Sequence, residues 1–272
     1  VLFVALRNND YVEAERLLTE SYFAAGCERA IVSCELLQNL ARPRLQMLQE
    51  ICERHDIQVT VIAYVRSFYE HLYSTYAQHV KQGSTSHAFG SDPDDLDTYK
   101  YVEVLMKYAR YFHDRFVVLN YNDPGGDVFT SFAAAVGVDT AGTSRLSAAV
   151  NRSLSIGEID ALRQLNALHG GEFSRRISDC LVEQFPDRRS EIYYTEELVR
   201  AVREQSAAEV AWINHQFRLA PPVQSDQYTN KTSGAARGHR ESAITAAVRW
   251  AQVFEPKPEQ TLAFVGFLRN FA

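Results

Sequence analysis

An apolar, β-rich run from Ile57 to Val65, IQVTVIAYV, ends on a single arginine, Arg66, and passes directly into a helical pattern. A buried strand that hands over to a helix within a few residues is the first half of a βαβ unit, whose return strand lies parallel to it. No other feature limits the possible folds of this chain as strongly. Phe68, Leu72, Tyr76 and Val80 recur at a spacing of four after the strand, which gives the helix an apolar stripe facing the sheet. Gly83 fits the stop of that helix. Ligands of open α/β sheets bind at the carboxyl ends of strands, where this reading puts Arg66. A guanidinium there presents a planar fork of donors suited to a phosphate. Ser74 follows eight residues later, about two helical turns, and comes round to the same side. Arg66 and Ser74 therefore form a candidate anion site.

The alternation continues on both sides. Ala30–Ser33 is a short strand candidate, and Arg44–His55 reads as a helix with Leu45, Leu48, Ile51 and Cys52 on one face. Residues 84–97 are a polar loop, Leu96–Phe112 a second helix, and Arg115–Tyr121, RFVVLNY, another strand. Asn122–Gly126 is turn-like, and Val128–Val136 is a helix that ends before Gly137. Strands alternating with helices predict an α/β fold with a parallel sheet and right-handed crossovers. Near residue 145 the pattern turns helical. Ser155 and Glu158 form a capping box ahead of Ile156, Ile159, Leu162, Leu165 and Leu168. Residues 173–185, 195–219, 243–254 and 260–271 are further helix candidates, and 220–240 reads as a loop or linker rich in Pro, Ser, Gly, Gln and Asn. The expected organisation is one domain over 1–272, with an α/β core at 1–145 and a helical elaboration at 146–272.

Charge and cysteine usage restrict the function. A net charge of −6 argues against a nucleic-acid binder that works through a general positive field. An anionic ligand must then be held by local positive charge. No apolar run approaches the roughly 20 residues needed to span a bilayer. The opening VLFVALRNND lacks the charged start of a secretory signal. Cys27, Cys34, Cys52 and Cys180 form no CxxC pair and no metal spacing, so they read as reduced, mostly buried thiols of a cytoplasmic protein. The start at Val1 instead of methionine suggests that an N-terminal piece is missing.

Each candidate also has a plain structural explanation. Arg66 is compatible with a surface arginine closing a strand, or with an ion pair to Glu70. Ser74 counts only in company with Arg66. Glu35, the only acidic or basic side chain in IVSCELLQN, follows the 30–33 segment. It is compatible with a general base at a strand end or with an acid favouring a helix N-terminus. His71 and His79 lie eight apart with no third ligand at a useful spacing, so no metal is expected. Tyr64, Phe68, Tyr69, Tyr73 and Tyr76 could stack on an adenine, but core packing accounts for most of them. The acidic run SDPDDLD at 91–97 reads as a solvated loop and helix start.

With those residues in view, the stretch from Val61 to Gly83 resembles the 3′-phosphate-binding region of PAPS-dependent sulfotransferases. In that family a strand delivers an arginine, and a serine eight positions later completes the grip on the nucleotide's 3′-phosphate. Three further segments resemble bacterial, carbohydrate-type members in the family's order: IVSCELL at 31–37, RFVVLNYND with FAAAVGV at 115–138, and VNRSLSIGEIDALRQLN at 150–166. The resemblance implies a P-loop NTPase-like sulfotransferase fold, incomplete at its N-terminus. It also implies PAPS as co-substrate, PAP as product, and a hydroxyl or amine acceptor, with carbohydrates among the candidates. Arg66 and Ser74 would hold the 3′-phosphate, and Glu35 would take the acceptor's proton, with Ser33 orienting substrate. The family's 5′-phosphosulfate loop and its catalytic lysine should lie upstream of Val1, and no GxxxxGK[ST] segment occurs in the chain. The expected function is sulfuryl transfer. The alternatives are a non-catalytic nucleotide-binding or interaction module, and a nucleoside or sugar kinase.

Overall fold

The computed structural model describes residues 1–23, 26–97, 99–123, 127–143, 152–187 and 192–224. In chain order the helices are α1 (Leu2–Arg7), α2 (Tyr11–Arg16), α3 (Arg42–Arg54), α4 (Phe68–Lys81), α5 (Tyr99–Phe112), α6 (Val128–Val136), α7 (Ile156–His169), α8 (Ser174–Gln184), α9 (Glu196–Gln205) and α10 (Ala207–Phe217). The strands are β1 (Val61–Val65) and β2 (Phe116–Asn120). They pair in a small parallel sheet, joined by a crossover that contains α4 and α5. The fold is thus α/β with a parallel sheet, as the alternation of patterns predicts, and the described residues are mostly helical.

The chain divides into two compact units, Val1–Tyr64 with Tyr99–Leu119, and Val65–Thr98 with Asn120–Ala272. The expected division near residue 145 falls on residues 144–151, outside the described residues. So do most of the 220–240 loop and the helices expected at 243–254 and 260–271.

In the first unit, α3 begins on a proline-containing first turn, where the missing N–H of Pro43 costs no helical bond. Leu45, Leu48, Ile51 and Cys52 are buried as the periodicity requires. Two short helices precede it. The Asp10 carboxylate accepts from the Glu13 amide at the start of α2, and Leu17–Ser21 continues α2 as a π turn. Ala30–Ser33 is exposed coil, not a strand. Without a neighbouring strand to accept its backbone groups, a run this short does not pair.

In the second unit, the buried stripe of α4 matches its spacing: Phe68, Leu72, Tyr76 and Val80 are all buried. The capping box of α7 forms as read, with the Ser155 amide donating to the Glu158 carboxylate at 2.8 Å and the Glu158 amide donating to Ser155 Oγ at 3.4 Å. Its apolar stripe stops early, because Leu168 is exposed. The expected 195–219 helix is two helices that meet at Ser206. Asn166 on α7 ties α4 to the following loop, its amide donating to the Val80 and Thr85 carbonyls. Beyond that contact, Gly83 and Gly171 meet backbone to backbone.

Candidate functional site

β1 ends at Val65, and Arg66 follows it half-buried, at the carboxyl strand end. The Tyr121 amide donates to the Val65 carbonyl at 2.8 Å, so the residues after both strands lie side by side. Ser67 caps α4, its hydroxyl accepting from the Glu70 amide at 3.2 Å. A helix start beside an arginine at a strand end is an anion-favouring setting, because the first-turn amides and the guanidinium supply positive charge together.

Of the polar groups that shape this junction, sequence reasoning points only to Glu70, as an ion-pair partner of Arg66, and to neither Ser67 nor Asn122. Asn122, just past β2, accepts from the Ser67 amide at 2.8 Å through Oδ1 and donates from Nδ2 to the Glu70 carboxylate at 2.8 Å. Ser67, Glu70 and Asn122 are all buried. Asn120 holds the arrangement from behind, its Oδ1 accepting from the Asn122 amide at 2.9 Å and its Nδ2 donating to the Pro221 carbonyl at 3.1 Å. The available signal was Ser67-x-x-Glu70, a capping pattern placed directly after a strand. Nothing local to it points to a residue 52 positions away.

His71 and Ser74 are three residues apart on α4 and share a face. His71 also feels the Arg66 charge. Burial first, and then that guanidinium, pushes its imidazolium down from 6.5 to about 4. His71 and Ser74 share the helix face opposite the buried stripe of Phe68, Leu72, Tyr76 and Val80. In the unfolded chain His71 gains its proton as pH falls through 6.5, whereas the folded protein resists until about 4. Stability from this group is present above 6.5 and is lost progressively between 6.5 and about 4. His71→Gln is expected to flatten that part of the stability profile by at most about 3 kcal/mol, as read by urea unfolding from pH 4 to 7.

Glu35 lies in the first unit, whereas Arg66 and Ser74 lie in the second. It opens a short 3-10 turn, Glu35–Asn39, and is exposed. No strand delivers it, which corrects the strand-end placement expected for it. The turn is held from α5. Lys107 Nζ donates to the Gln38 and Leu40 carbonyls, each at 2.8 Å, and the Tyr108 hydroxyl donates to the Leu37 carbonyl.

The aromatic residues mostly serve the core. Tyr69, Tyr73 and Tyr76 are buried around Phe89, and the Tyr69 hydroxyl donates to the Tyr193 carbonyl at 2.9 Å. The acidic run is less solvated than its composition suggests. The Asp95 carboxylate lies 3.1 Å from His87 Nε2 and accepts from the Gly90 amide at 2.9 Å, which folds residues 87–95 onto α4 beside Tyr76. The cysteines are free, but only Cys52 is buried, where burial raises its thiol to about 11. Cys27 is exposed, and Cys34 and Cys180 are half-buried. A cleft in the first unit between the ends of α3 and α5, lined by Gln49, Cys52, Glu53, Arg110 and Arg115 among others, contains none of the predicted site residues. Among the described residues, no group of three or more His, Cys, Asp or Glu is placed to hold a metal ion, and no helix is long and apolar enough to cross a membrane. The chain matches no protein-family model, no curated protein and no solved structure.

Proposed function

We propose that the protein binds adenosine 3′,5′-bisphosphate compounds at the β1–α4 junction and transfers a sulfuryl group from PAPS to a hydroxyl or amine, with a carbohydrate as a candidate acceptor. The observation that carries this reading is the position of Arg66. It directly follows a parallel strand and immediately precedes the capped start of α4, the helix that carries Ser74. The assignment of the anion as a nucleotide 3′-phosphate rests on the resemblance of residues 61–83 to the sulfotransferase family.

In this reading Arg66 and Ser74 hold the 3′-phosphate and orient the nucleotide. The acceptor oxygen attacks sulfur in line, the new O–S bond forms, and the S–O bond to the 5′-phosphate breaks to leave PAP. The sulfotransferase resemblance gives Glu35 the role of taking the acceptor's proton. Proton removal of this kind contributes on the order of 10²–10⁴ in rate.

The test is a calorimetric titration with PAP and, in parallel, with adenosine 5′-monophosphate. PAP is expected to bind more tightly, and Arg66→Ala to weaken it about ten- to hundredfold, the worth of a charged hydrogen bond, while leaving the monophosphate unchanged. Equal affinity for the two nucleotides in the native protein would overturn the reading. Glu35→Gln is expected to leave PAP affinity intact and to lower turnover with PAPS about a hundredfold or more.

One observation favours the non-catalytic module as the second reading: Glu35 sits exposed on a 3-10 turn with no strand behind it. PAP binding without sulfuryl transfer to any hydroxyl or amine acceptor, and with no effect of Glu35→Gln, would select that reading.

A further inference from the structure

Among the described residues the pattern Ser-x-x-Glu opens three helices: at α10 the serine makes no capping bond, and at α7 and α4 the structure closes the box in two different ways. At α7 the box is local, because the Glu158 carboxylate returns to the Ser155 amide. At α4 the serine half is the same, with Ser67 Oγ accepting from the Glu70 amide. The return half differs. The Ser67 amide donates to Asn122, and Asn122 in turn donates to Glu70. An amide side chain from the end of β2 has thus been inserted into the capping box of α4. All three bonds are buried. The acceptor at the far end is a carboxylate, so the geometry is held by charge-assisted hydrogen bonding in low dielectric.

We infer that Asn122 is a positioning residue for the anion site: its bridge between the Ser67 amide and Glu70 sets where Arg66 and the first turn of α4 stand at the strand ends. The part of this inference that concerns nucleotide affinity rests on the reading proposed above. The bridge has a polarity. The amide nitrogen must face Glu70, and the carbonyl oxygen must face the Ser67 N–H. Asn122→Asp puts two carboxylates in contact and removes the donor that this side chain offers to Glu70. Combining it with Glu70→Gln reverses the polarity of the bond without changing its shape. The introduced glutamine then donates to the introduced aspartate, which still accepts from the Ser67 amide.

The experiment compares the native chain, Asn122→Asp, Glu70→Gln and the double variant by two readouts. The first is amide hydrogen exchange at Ser67 and the α4 first turn without ligand. The second is PAP affinity. Asn122→Asp is expected to speed exchange and to weaken PAP at least about tenfold, the equivalent of one such bond. The double variant is expected to restore both to within about threefold of the native chain, a coupling that independent sites do not show. A general loss of stability from either substitution would instead add in the double variant, and additive losses overturn the inference. If the native chain does not bind PAP, the nucleotide reading fails by itself, and the exchange data still decide the bridge. Restored exchange without restored PAP affinity would confine the bridge to a structural role and overturn its positioning of the ligand.

Discussion

Arg152→Ala is expected to lower the unfolding free energy by about 3–5 kcal/mol, the cost of leaving one member of a buried ion pair without the other. Arg152 lies just ahead of α7 and is almost wholly enclosed. Its guanidinium donates to both Glu158 oxygens at 2.8 and 3.0 Å, and to the Leu181 carbonyl at 2.7 Å. The side chains are 3% and 0% exposed. In water such a fork would be worth little, but here neither charge has solvent to fall back on. The loss is a large fraction of the roughly 5–15 kcal/mol that holds a domain together. Glu158→Gln is expected to cost less than Arg152→Ala, because glutamine still accepts from the Ser155 amide and closes the capping box. Guanidinium unfolding midpoints at constant slope measure both. A cost below about 1 kcal/mol for Arg152→Ala, which leaves the capping box intact, would mean that the cap, and not the ion pair, carries the stability.

The second large effect is expected at the crossing of Gly83 and Gly171. A Cβ built on Gly83 would stand under 3.0 Å from the Gly171 carbonyl oxygen, and one on Gly171 would stand equally close to that of Gly83. Both residues have φ near +80°, so each alanine meets two penalties, a left-handed backbone and a clash with main chain that cannot rotate away. Gly170 separates the two. It has φ of +65° and no atom within 4 Å of an added Cβ, so Gly170→Ala is expected to cost only the left-handed penalty of about 1–2 kcal/mol. Gly83→Ala and Gly171→Ala are expected to exceed it by at least about 2 kcal/mol. Their double variant should cost less than the sum, because one forced separation relieves both clashes. Thermal unfolding of the four variants tests this, and matching losses at Gly170 and Gly83 would show that the backbones do not meet.

Gly83 also shows how far the sequence reaches. Its role as the stop of α4 is legible in the chain, because the apolar stripe ends just before it and glycine tolerates positive φ. That it also faces Gly171 is not legible, because the two lie far apart in sequence and meet only after α7 packs on α4. The Asp95 carboxylate has the same history. It reads as one of a solvated acidic run, yet it is committed to His87 and the Gly90 amide. Composition reports average solvation and does not say which side chain turns inward. The strand expected at Ala30–Ser33 is the opposite case. Ile31 and Val32 have the right propensity, but a strand exists only where a neighbour accepts its hydrogen bonds, and both are exposed.

What the amino-acid order determined by itself is local and periodic. It set the β1–Arg66–α4 succession, the buried face of α4, the capping box of α7 and the left-handed stop of α6 at Gly137. Each of these depends on residues within one or two turns of one another, where hydrophobic period and side-chain capping act without help from the rest of the chain. The tertiary structure alone decided what holds the start of α4 beside Arg66. Asn122 reaches the Ser67 amide and Glu70 because β1 and β2 end side by side. No spacing along the chain encodes that meeting, since a parallel pair is joined through a crossover long enough to hide its partner.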